Sequence, residues 1–80
     1  RPSMKIRISA YGDLKFYTPA KAGVVEMDLE GPELLSVILN QAGFPIEYIG
    51  TITVDKITVD TETLIAENSE IKIYPMVSGG

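Results

Sequence analysis

From Met4 to Ala10 apolar and polar residues alternate: Met4, Ile6, Ile8 and Ala10 share one face, Lys5, Arg7 and Ser9 the other. A period of two predicts a half-buried strand. Tyr11-Gly12-Asp13 ends it. Leu14 to Gly23 mixes polar and apolar residues around Pro19, which reads as a long connection rather than a helix. Alternation returns from Val24 to Glu30, with Val25, Met27 and Leu29 on one face, and predicts a hairpin partner for the first strand. The period then changes. Leu34, Leu35, Ile38, Leu39 and Ala42 recur at helical spacing, with Val37 widening the stripe. Gly31-Pro32-Glu33 is a start signal: Pro suits the first helical position, and Glu33 meets the positive end of the dipole. Gly43 supplies a left-handed stop, and Pro45 blocks continuation.

The second half predicts a strand over Ile49 to Val54, a tight turn at Asp55-Lys56 and a short returning strand over Ile57 to Val59. Asp60 to Leu64 reads as a helical turn capped by Asp60 or Thr61. Asn68 is the residue of this half best suited to positive φ. Ile71, Ile73 and Pro75 then alternate with Lys72 and Tyr74 in a final strand. One amphipathic helix must bury its stripe against something. Laid across a mixed sheet of four to five strands, it gives a two-layer α+β domain in which the sheet grasps the helix.

Composition narrows the chemistry. The 80 residues include no Cys, no His and no Trp, so thiolate nucleophiles, cysteine-bound zinc and a Ser-His-Asp triad are excluded. An autonomous enzyme is not expected, nor is a metal site. Eleven acidic against seven basic residues give a formal charge of −4, which disfavours nucleic acid. No apolar run approaches the ~20 residues that span a bilayer, and no signal peptide is visible. These features fit a cytoplasmic protein. Arg1-Pro2-Ser3 precedes Met4 and reads as an expression remnant, leaving 4–80 as a single domain.

The sequence closes Tyr74-Pro75-Met76-Val77-Ser78-Gly79-Gly80. This resembles the aromatic-Pro-x-Val-Ser-Gly-Gly ending of the ubiquitin-like β-grasp sulfur carriers. That group holds the molybdopterin synthase small subunit and the thiamine-pathway sulfur carrier. Thr53-Val54-Asp55-Lys56-Ile57 is similar to the family's Val-Asn-Gly hairpin, with Asp-Lys in place of Asn-Gly. Glu67-Asn68-Ser69-Glu70-Ile71 is similar to its Asp-Gly-Asp-Glu-Val turn, with Asn68 where Gly is usual. Met76 stands where a second proline is common. The long connection from Gly12 to Gly23 resembles the molybdopterin-type carriers more than the thiamine-type ones.

The resemblance implies a carrier whose Gly80 is adenylated and then converted to a thiocarboxylate by a partner. The partners would be an adenylating, ubiquitin-activating-like enzyme and a larger sulfur-accepting synthase subunit. No cofactor would be bound, and ATP would be used by the activating enzyme. Physical reasoning runs the same way. A terminal carboxyl has a pKa of about 3.3–3.7, so it is an anion and a poor electrophile at neutral pH. Adenylation gives it a leaving group that sulfur can displace. Gly79 and Gly80 lack Cβ and permit close approach inside a partner. Ser78 adds to that access, and Tyr74, Pro75, Met76 and Val77 are candidate partner contacts.

Other signals are less specific. Glu26, Asp28, Glu30 and Glu33 form one acidic cluster, and Asp60, Glu62, Glu67 and Glu70 another. Each reads either as a solvated surface or as a complement to a basic partner. Tyr11, Phe16, Tyr17, Phe44 and Tyr48 are expected in the core or at its rim. Three functions stand beside the molybdopterin reading: a thiazole/thiamine sulfur carrier, a protein modifier joined to lysines through Gly80, and an interaction module with an inert tail.

Overall fold

The computed structural model describes residues 3–76. Seven strands and one α-helix follow in order. They are β1 (Met4–Ala10), β2 (Val24–Leu29), β3 (Glu33–Leu34), α1 (Leu35–Gln41), β4 (Ile49–Val54), β5 (Ile57–Val59), β6 (Leu64–Ile65) and β7 (Ser69–Pro75). Five strands form a mixed sheet in the order β2-β1-β7-β4-β5, and β3 pairs with β6 in a separate ribbon. The first and last long strands, β1 and β7, lie side by side and parallel, while every other pair is antiparallel.

The alternation in the sequence becomes the two faces of this sheet. Ile6 and Ile8 of β1 and Ile71 and Ile73 of β7 are essentially inaccessible. They pack with Leu35, Ile38 and Leu39 of α1, which are equally inaccessible. Burying each such side chain is worth about 1.5–3 kcal/mol. Lys5, Arg7, Glu26 and Asp28 lie on the other face, where Lys5 pairs with Asp28 (3.2 Å) and Arg7 with Glu26 (3.5 Å). Both pairs are exposed and contribute little to stability.

The helix ends as its sequence indicates. Gly43 has φ +92°, its N–H donates to the Asn40 carbonyl and the Phe44 N–H to that of Leu39, the paired bonds of a Schellman stop. Its start differs from the expectation. Glu33 and Leu34 are extended and pair with Ile65 and Leu64, so the helix begins at Leu35 and not at Pro32. The Leu35 and Ser36 N–H groups donate to the carbonyls of Thr63 and Thr61, both at 2.9 Å. A distant loop thus satisfies the free donors of the first turn, and a local Pro-Glu signal cannot reveal that.

Three further expectations are corrected. The connection after β1 contains two 3-10 turns, Gly12–Tyr17 and Pro19–Lys21. The buried Thr18 hydroxyl ties them: it donates to the Lys15 carbonyl at 2.5 Å and accepts the Gly23 N–H at 2.8 Å. Asp60 does cap a turn, accepting the Glu62 N–H at 2.9 Å, but Leu64 belongs to a strand. Asn68 is not among the positive-φ residues. Its Oδ1 instead accepts the Lys5 N–H at 2.8 Å, joining the start of β1 to the approach to β7. No helix among the described residues is long and apolar enough to cross a membrane.

Candidate functional site

The final strand occupies the middle of the sheet, with β1 on one side and β4 on the other. As far as Ile73 the strand is therefore held by two ladders at once. Ile71 and Ile73 point into the core. Period-two alternation turns Tyr74 to the opposite face, where it pairs with Thr51 and stacks on Tyr11, ring centroids 4.9 Å apart and planes within 7°. The Tyr11 N–H donates to the Ile73 carbonyl at 3.1 Å, so backbone and ring both hold this corner.

Beyond Tyr74 two glycines make room. A Cβ on Gly12, which has φ +58°, would lie 2.6 Å from Pro75 Cγ, and one on Gly50 would lie 2.8 Å from Met76 Cα. Gly50 sits where the β4–β7 register shifts between Ile49 and Thr51, the bulge position at which backbone approaches closely. The Met76 N–H then donates to the Tyr48 carbonyl at 2.9 Å. The chain is thus guided through Met76, whose side chain is 60% exposed.

A groove of about 420 Å³ opens beside this exit, lined by Leu14, Tyr17, Tyr48, Pro75 and Met76 together with the acidic Asp13 and Glu47. Tyr11, Phe16, Tyr17 and Tyr48 are all exposed, whereas Phe44 is buried. Lys15 and Lys21 stand over the Phe16 ring at 5.7 and 5.8 Å. Among the described residues no group of His, Cys, Asp or Glu is placed to hold a metal ion.

Of the expected site residues, Tyr74, Pro75 and Met76 are brought together at one end of the sheet. Val77, Ser78, Gly79 and Gly80 lie outside the described residues. Sequence reasoning missed Gly12, Gly50, Tyr11 and Tyr48. A signal existed for Gly50, because an isolated glycine inside a strand pattern marks a bulge or a close approach. Tyr48 contributes through its carbonyl, which side-chain patterning cannot show.

A mixed sheet with parallel first and last strands, wrapped on one helix between its two outer hairpins, is the ubiquitin-like β-grasp fold. No protein-family model and no curated protein gives a match to the sequence. Solved structures do. The crystal structure of SAMP1 from Haloferax volcanii superposes with TM-score 0.69 at 16% identity, covering 95% of this chain and 99% of that one. A second structure of that protein, small archaeal modifier protein 1, gives TM-score 0.70 at 13% identity over 92% and 99% of the two chains. A candidate molybdopterin converting factor, subunit 1, from Pyrococcus furiosus gives TM-score 0.69 at 14% identity over 94% and 100%.

Proposed function

We propose that this chain is a ubiquitin-like sulfur carrier with Gly80 as its reactive residue. In the first step the Gly80 carboxylate attacks the α-phosphorus of ATP on an activating enzyme, releasing pyrophosphate and forming an acyl adenylate. Hydrosulfide from a sulfur donor then attacks the acyl carbon, expels AMP and loses its proton, leaving a thiocarboxylate. The carrier delivers that sulfur to a larger synthase subunit that builds molybdopterin. The chemistry is supplied by the partners, which suits a chain without Cys or His.

The observation that supports this reading best is the rooting of Tyr74-Pro75-Met76. A central strand, two space-making glycines and the Tyr48 carbonyl lead the backbone out of the sheet at one defined place, immediately before Val77-Ser78-Gly79-Gly80. The exposed aromatic side chains beside the exit give a partner apolar surface to grip. The Pyrococcus furiosus neighbour, by its name, favours molybdopterin as the destination.

The test is mass spectrometry of the intact chain after incubation with ATP, an activating enzyme and a sulfur donor. Replacement of one Gly80 oxygen by sulfur is the expected result. If Gly80 acquires neither AMP nor sulfur from any cognate enzyme, the proposal is wrong. The Haloferax volcanii neighbour is named a modifier, which favours a second reading: the same adenylate passes to lysines of target proteins as an amide. Higher-mass conjugates that vanish on deleting Gly79 and Gly80 would identify that use.

A further inference from the structure

The opposite end of the sheet holds a second surface that the carrier reading does not use. β7 spans about 20 Å from Ser69 to Pro75 at ~3.3 Å per residue, and the β4–β5 turn lies at its Ser69 end. There a groove of about 300 Å³ runs between β5 and the β6 segment, lined by Val54, Ile57, Val59, Leu64, Ile65 and Ala66. Ile57 is 67% exposed and Leu64 58%, so two large aliphatic side chains face solvent across one shallow channel.

The late start of the helix accounts for this surface. Ile57 pairs with Val54, and Val59 with Ile52. Ile52 is buried, so alternation puts Ile57 and Val59 on the helix-covered side of the sheet. Because Glu33 and Leu34 join β6, α1 is only seven residues long, and none of its residues lines the groove. The core face extends past its cover. Beside it, β5 is an edge strand paired only with β4 among the described strands, leaving main-chain groups free to pair with an added strand.

Charge selects the occupant. From Val54 to Glu70, Asp55, Asp60, Glu62, Glu67 and Glu70 face Lys56 alone, and Asp55 and Glu67 line the groove itself. A second copy of this chain would set like charges against each other. We propose that this groove binds an extended segment of a partner protein, its apolar residues alternating with uncharged polar ones and its ends basic, which adds as a strand to β5. Main-chain pairing supplies affinity, the alternate apolar side chains fill the channel, and Lys side chains at the two ends of the segment answer the carboxylates around it. Bound there, a partner holds the chain without touching the Tyr74–Met76 exit. The inference is independent of the chemistry at Gly80.

The test is NMR titration of the full chain with the peptide acetyl-Lys-Lys-Val-Thr-Ile-Thr-Val-Lys-Lys-amide. Expected are amide shifts at Ile57–Val59 and Leu64–Ala66, with Tyr74–Met76 unmoved. Replacing the Lys residues of the peptide by Glu should weaken binding about tenfold or more. The double variant Ile57→Ser, Leu64→Ser should weaken it comparably, with an unchanged Ile73 amide showing that the fold is retained. N-methylation of one alternate set of peptide amides should abolish binding, while the other set is tolerated. Absence of shifts, shifts centred on Tyr48 and Met76, equal binding of both N-methylated peptides, or shifts that grow with protein concentration alone would each overturn the proposal.

Discussion

Single backbone positions decide how the chain leaves the sheet. At Gly50 the atom in the way of a Cβ is Met76 Cα, which cannot rotate aside. Gly50→Ala therefore has to push β4 and the chain after Pro75 apart. We expect a loss of about 1–3 kcal/mol, as for overpacking elsewhere, read as a lower urea midpoint, together with faster hydrogen exchange at the Met76 amide. The β4–β5 turn errs the other way. Asp55 and Lys56 both have positive φ, 50° and 74°, in a two-residue connection where Asn-Gly is the unstrained choice. A left-handed L-residue costs about 1–2 kcal/mol, and glycine returns part of that as lost chain entropy, about 0.5–1 kcal/mol. Lys56→Gly should therefore raise stability by about 0.5–1 kcal/mol in the same urea experiment.

At the level of elements, local pattern and long-range pairing compete, and each wins in different places. The five sheet strands were legible because alternation and tertiary burial agree: the residues that fall on one face of β1 and β7 are those that meet α1. The helix stop was legible because Gly43 and Pro45 act locally. The helix start was not, because Leu34 gains a partner in Leu64 and the first-turn donors gain the carbonyls of Thr61 and Thr63, 25 to 30 residues further along the chain. Asn68 was misread for the same reason, its side chain being held by the Lys5 N–H. This dependence is testable. Asp60 orders the turn that presents those carbonyls, so Asp60→Ala should cost about 0.5–1.5 kcal/mol for its lost hydrogen bond. Exchange at the Leu35 and Ser36 amides should accelerate more than at Leu39, whereas a uniform acceleration along α1 would show that the turn has no special hold on the helix start.

On the scale of the whole molecule, the buried cluster runs from Ile6 to Ile73, and the last described hydrogen bond of the chain belongs to Met76. The described packing and the proposed reactive residue, Gly80, thus fall on different stretches of sequence. On the proposed carrier reading, the fold of a small chain without Cys or His has only to hold one strand firmly and leave the residues after it to a partner. Deleting Gly79 and Gly80 separates the two roles. If, as proposed, these two residues serve a partner rather than the packing, the urea midpoint should move by less than about 0.5 kcal/mol, the usual range for changes outside a core. ATP-dependent activation should disappear entirely. Gly50→Ala should show the complementary pattern, a weakened fold with Gly80 still chemically competent at temperatures where the chain remains folded. A deletion that lowered stability and activation together would mean that the last residues are part of the packed structure, and the division between anchor and reactive end would have to be abandoned.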